Sequence, residues 1–106
     1  MGFFDRFKAP DLNDGLIRFW DTPGAVLLDV READEYAAGH VPGSINLPLS
    51  EIDKVETVIP DRNTPVFAYC LVGSRSRQAV SRMRSIGYSQ AESIGGIRSY
   101  HGELIS

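Results

Sequence analysis

The chain has 106 residues, 42% of them hydrophobic and 24% charged, with a formal net charge of -3 at pH 7. That length supplies one hydrophobic core rather than two, and the composition belongs to a folded domain rather than a disordered tail. The weak negative charge excludes a global pull toward nucleic acid or anionic membrane, and no apolar run reaches the roughly 18 residues of a bilayer span.

The first ten residues carry Phe3, Phe4 and Phe7. They read as an N-terminal extension or edge element, packed as a short strand or helical turn. They lack the order of a signal peptide, and Arg6 stands where a myristoylation signal requires Ser or Thr. The expectation is a cytoplasmic, monomeric protein off the membrane, with 1–106 as a single domain. Asp11 or Asn13 caps a helix that runs to about Trp20. Leu12, Leu16, Ile17, Phe19 and Trp20 form its apolar side, with Trp20 expected in the core. After the turn cluster Asp21-Thr22-Pro23-Gly24, residues 25–30 form a continuous apolar run. Such a run suits a strand of a parallel sheet buried on both faces.

Glu35 to Ala38 forms a short helix closed by Gly39. Pro42-Gly43 turns into a second strand, 44–47, and Ser50 caps a helix carrying Ile52 and Val55. Pro65 to Tyr69 is the third strand and ends at Cys70. A helix spans 76–86 and stops at Gly87. A weaker strand covers 91–94, Gly95-Gly96 is a turn, and residues 97–104 close the chain as a helix. Alternating strands and helices predict an α/β domain with a mainly parallel sheet covered on both faces. Ligands of such folds bind beyond the carboxyl ends of the strands, where Cys70 falls.

Cys70 is the single cysteine. Alone it makes neither an internal disulfide nor a Cys-rich zinc site, and no metal or cofactor is expected. It is either an inert buried thiol or a reactive one. The segment Cys70-Leu71-Val72-Gly73-Ser74-Arg75-Ser76 runs from a strand through a short loop into a helix. A loop curled around Cys70 aims backbone N–H groups and the positive helix end at the sulfur. Gly73 permits the curl, Arg75 adds a cation, and Ser74 and Ser76 offer hydroxyls, with Ser76 also able to cap the helix. Thiols in such settings ionise well below the ordinary value of about 8.5, and the thiolate is the nucleophile.

The segment resembles the C-x-x-G-x-R-S active-site loop of the rhodanese family. Leu28-Asp29-Val30-Arg31-Glu32 is similar to that family's L-D-V-R-E signature. Residues 35–48, Glu-Tyr-Ala-Ala-Gly-His-Val-Pro-Gly-Ser-Ile-Asn-Leu-Pro, resemble its E-Y-x-x-G-H-I-P-G stretch, and Gly95-Gly96-Ile97 resembles its glycine pair before the last helix. The resemblance implies a five-stranded, mainly parallel sheet with helices on both faces. It implies a sulfurtransferase in which Cys70 takes sulfane sulfur from a donor such as thiosulfate, a persulfide or a polysulfide. The sulfur then passes from a Cys70 persulfide to cyanide, a thiol or a protein. By the same analogy Asp29 and Arg31 lie near the loop and hold it or the substrate, while His40 and Asn46 make structural hydrogen bonds. An ionised thiol needs no general base, which agrees with a structural His40.

Leu71 and Val72 are apolar where many thiosulfate-using relatives carry charge, which suits a persulfide, polysulfide or protein donor. Tyr100 stands where the family usually has Trp. With no second cysteine, a sulfur on Cys70 must leave to an external acceptor. Arg75, Arg77, Arg82 and Arg84 share one helix, as a solvated face or a docking patch for an anionic donor or acidic partner; a solvated face is the reading for Arg82 and Arg84. Two other functions fit less well. One is a non-catalytic persulfide carrier or sensor docked on a partner protein. The other is a cysteine-loop phosphatase or arsenate reductase, which needs one more residue between cysteine and arginine to surround a tetrahedral oxyanion.

Overall fold

In the computed structural model, residues 10–106 are described. β1 (Val26–Asp29) and β3 (Val66–Cys70) lie side by side at the centre of a sheet. Apart from Asp29 at the end of β1, both carry mainly apolar side chains, because a central strand covered on two faces has no side to give to water. β2 (Ser44–Asn46) flanks β1 and β4 (Ala91–Gly96) flanks β3, giving the order β2-β1-β3-β4 with every neighbour parallel.

Side chains of a strand alternate between faces, so the sheet divides the core in two. Leu28, Val66, Ala68 and Cys70 face a layer that includes Ile52, Val55, Ala79, Val80 and Met83. That layer is supplied by a 3-10 helix, Leu49–Thr57, and by α3 (Ser74–Ser85). Leu27, Phe67, Tyr69 and Ile94 face the other way, onto Leu12 and Leu16 of α1 (Leu12–Trp20). α2 (Ala33–Ala38) buries no residue and sits beyond the carboxyl end of β1. It stays attached through polar contacts, among them the Tyr36 hydroxyl donating to the Ser44 carbonyl at 2.6 Å.

The structure corrects several sequence expectations. The sheet has four strands among the described residues, not five. The one further pairing is an isolated antiparallel bridge between His40 and Ile105. The expected strand or turn in the first ten residues lies, except for Pro10, outside the described residues. Residues 97–104 are not a helix: a 3-10 turn covers Ile97–Ser99 and Tyr100 is extended. Gly102 follows within that stretch, and glycine disfavours a helix interior. Ser50 caps nothing. Pro48 precedes the 3-10 helix, the Glu51 N–H donates to the Pro48 carbonyl, and Glu51 itself breaks helical geometry.

Trp20 is 67% exposed, not core. Asp11 caps α1, and the buried stripe runs Leu12, Gly15, Leu16, continued by half-buried Phe19. At about 100° per residue, Ile17 and Trp20 fall off that stripe.

Candidate active site

β3 ends on Cys70, and α3 begins four residues later at Ser74. Gly73, at φ +105°, is the residue that turns the chain back over the sulfur and stands as N-cap of α3. That left-handed conformation is open to glycine at little cost. The Gly73 N–H donates to Cys70 Sγ at 3.0 Å, and the Ser76 N–H donates to it at 3.3 Å. Ser76 therefore does not start the helix. It sits in the first turn, fully buried, with Oγ 3.6 Å from Sγ. Its hydroxyl is also within reach of the Gly73 carbonyl at 3.1 Å and Ser93 Oγ at 2.7 Å.

Burial pushes the Cys70 thiol up, but the N–H and hydroxyl of Ser76 and the N–H groups of Gly73 and Val72 outweigh it, and the net direction is down. The donors come from the loop and the first turn of α3, whose unpaired N–H groups and dipole both favour an anion. Ser74 begins α3 on the exposed side. Leu71 is half-buried, and Val72 is 54% exposed at the rim.

The Arg75 guanidinium reaches from α3 to α2. Its Nη1 and Nη2 donate to Glu35 Oε1 and Oε2 at 2.6 and 3.0 Å. This two-pronged pair ties the first turn of α3 to α2. Arg75 holds the Glu35 carboxyl down to about 2, against the opposing effect of burial. The Arg75 charge is thus matched by a carboxylate while still interacting with Cys70, and the direct contacts to the sulfur are the N–H groups and the Ser76 hydroxyl. Glu35 was not singled out from the sequence, where nothing local links it to a residue 40 positions away.

Asp29 and Arg31 form a second pair. Asp29 is fully buried and Arg31 is 6% exposed. The Arg31 Nη2 donates to Asp29 Oδ2 at 2.7 Å and to the Gly39 carbonyl at 2.7 Å, and the Arg31 N–H donates to Asp29 Oδ1 at 2.9 Å. Burial pushes the Arg31 guanidinium down, but hydrogen bonding and charge from Asp29 override it and hold it above its ordinary value. Both residues brace the carboxyl end of β1 and the end of α2. Asn46 joins them by donating to the Asp29 and Arg31 carbonyls at 3.0 and 2.9 Å. The His40 ring stacks on Tyr36 with centroids 3.7 Å apart, and its Nδ1 lies 2.8 Å from the Tyr36 carbonyl.

Gly95 and Gly96 close the site from β4. Cys70 and Gly96 are partners in register, across an irregularity in the β3–β4 ladder. A Cβ on Gly96 would collide with the Leu71 carbonyl and stand 2.5 Å from Val72 Cα. On Gly95, at φ +105°, it would stand 2.5 Å from the Pro10 carbonyl. The glycine pair lets the loop and residue 10 lie directly on the strand end.

Comparison with known proteins agrees with this geometry. The family model of the Rhodanese-like domain matches residues 13–103. The chain is 39% identical over 72 residues to the thiosulfate sulfurtransferase PspE of Escherichia coli K12, covering 67% of this chain and 69% of that protein. It is 33% identical over 79 residues to the adenylyltransferase and sulfurtransferase uba4 of Ogataea parapolymorpha, of which it spans only 20%. Among solved structures, a rhodanese with anions from E. coli superposes with a TM-score of 0.70 at 34% identity, covering 76% of this chain and 96% of that one. The chain belongs to the rhodanese-like domain family and is a rhodanese-type sulfurtransferase.

Proposed function

We propose that the chain moves sulfane sulfur through a persulfide on Cys70. The observation that carries this reading is the convergence of the Gly73 and Ser76 N–H groups on Cys70 Sγ at 3.0 and 3.3 Å. In the first step the Cys70 thiolate attacks the outer sulfur of the donor. With thiosulfate, the donor's S–S bond breaks and sulfite leaves with the bonding pair. In the second step cyanide or a thiolate attacks the outer sulfur of the Cys70 persulfide. That S–S bond breaks, the acceptor keeps the sulfur, and Cys70 returns as thiolate. Both the thiolate and the persulfide are anions, so one set of donors serves both states.

With one cysteine in the chain, the persulfide has no internal thiol to resolve it, and the acceptor comes from outside. A cytoplasmic setting, where free thiols stay reduced, belongs to the same reading. The tie between Arg75 and Glu35 weighs against phosphate chemistry, since it occupies the guanidinium that would clamp an oxyanion. A second reading, a persulfide carrier without turnover, is favoured by one feature: Val72 is an exposed apolar residue on the rim of the loop, suited to a protein partner.

The test is thiocyanate formation from thiosulfate or a polysulfide with cyanide in excess. The enzyme reading expects many turnovers per chain, and none for Cys70→Ser. A carrier gives a single equivalent. A Cys70→Ser protein that forms thiocyanate at the wild-type rate would overturn both readings.

A further inference from the structure

A pocket of about 280 Å³ adjoins the sulfur loop. Among the described residues it is lined by Pro10, Leu71, Val72, Gly96, Arg98 and Ser99. Leu71 and Val72 directly follow Cys70, and Gly96 is the register partner of Cys70, so pocket and sulfur loop share a wall. The volume lies just below the roughly 300–1,000 Å³ of drug-sized ligand sites, which suits a molecule of a few carbons. Pro10, Leu71 and Val72 supply apolar lining, and Arg98 and Ser99 supply polar lining.

Arg98 differs from most arginines of the described chain. Arg18, Arg31, Arg62, Arg75 and Arg82 each hold a carboxylate, and the Arg84 Nε donates to the Ala91 carbonyl. The Arg98 guanidinium has no hydrogen-bond or ion-pair partner among the described residues, and the residue is exposed. Its backbone is nonetheless fixed to the sulfur loop, because the Arg98 N–H donates to the Leu71 carbonyl at 3.1 Å. The backbone that carries this cation is therefore anchored to the residue that follows Cys70, beside an apolar cleft.

We propose that this pocket is the acceptor subsite, and that it takes a small organic thiol bearing a carboxylate. Arg98 receives the carboxylate, and Leu71 and Val72 receive the carbon chain. The inference rests on the Cys70 persulfide reading. Cys70 itself is fully buried, and the outer sulfur of its persulfide, one S–S bond of about 2 Å from Sγ, is the atom that the acceptor must reach. The acceptor thiolate attacks the outer sulfur, the Cys70 S–S bond breaks, Cys70 leaves as thiolate and the acceptor departs as its own persulfide. No electrons or atoms are needed from elsewhere.

The test loads the full chain with sulfur and measures transfer to 3-mercaptopropionate and to 2-mercaptoethanol, which differ in the carboxylate. The quantity read is the ratio of the two rate constants. In Arg98→Gln that ratio falls about threefold to fivefold, the size expected of a solvent-screened ion pair. Arg98→Lys restores part of it. Arg77→Gln, which removes a cation near the Gly73 backbone but outside the pocket, leaves the ratio as in the wild type. An unchanged ratio in Arg98→Gln overturns the proposal, as does an equal fall in Arg77→Gln, which would show a general field rather than a subsite. Failure of the wild type to pass sulfur to either thiol or to cyanide would instead overturn the persulfide reading on which the proposal rests.

Discussion

Burial alone would keep the Cys70 thiol protonated, since the residue is fully enclosed and an isolated anion is costly there. The N–H and hydroxyl of Ser76 and the N–H groups of Gly73 and Val72 reverse that direction. The midpoint of alkylation against pH is therefore expected below that of the denatured chain, whose thiol titrates near about 8.5. Ser76→Ala removes the hydroxyl and raises the midpoint. Arg75→Ala raises it less, because Glu35 already matches the Arg75 charge. A larger rise in Arg75→Ala than in Ser76→Ala would contradict this ordering. Cys70, Gly73 and Ser76 were legible in the sequence because a strand–glycine–helix turn is local. The Glu35 partner of Arg75 and the Gly39 carbonyl that Arg31 also holds were not, since pairing across 40 residues, or with a backbone carbonyl, leaves no local trace.

Helix α1 shows the same division at the scale of an element. Its N-cap and extent follow from Asp11 and the apolar spacing, but its orientation is set by Gly15. A Cβ there would collide with Ile94 Cβ and stand 2.6 Å from Ile94 Cγ2. The absent side chain lets α1 settle on β4 with Leu12 and Leu16 inward, which leaves Ile17 and Trp20 outside. Gly15→Ala should lower the Tm. Overpacking costs about 1–3 kcal/mol, against a gain of about 1 kcal/mol in helix propensity. A higher Tm would show that Ile94 yields freely.

Helix α2 depends on polar ties instead. The Glu35 carboxyl, about 2 in the folded chain against an ordinary value of 4.5, stabilises the fold above pH 4.5 and loses that contribution as the pH falls toward 2. Both partners are nearly one-third exposed, so solvent screening limits the pair to about 1 kcal/mol or less. Glu35→Gln should lower the Tm by a few degrees at pH 7, with the difference from wild type closing by about pH 2. A difference that grows on acidification would contradict it.

For the whole molecule, the parallel sheet was legible because apolar runs at residues 25–30 and 65–69 have no polar face. The count of five strands came from resemblance and the closing helix from the residues after Gly95-Gly96, and the structure alters both. A short β2, a 3-10 connection and an extended end suffice because α1 and α3 supply the two layers of core. Around that frame, the end of β3, the start of α3 and the glycine pair of β4 place a single thiol among N–H donors. The central claim is that this thiol carries sulfur. Intact-mass spectrometry after incubation with thiosulfate or a polysulfide tests it most directly. The account predicts one adduct of about 32 Da per chain, the mass of one sulfur, removed by cyanide or a thiol and absent in Cys70→Ser. An unmodified wild-type chain, or an equal adduct on Cys70→Ser, would contradict it.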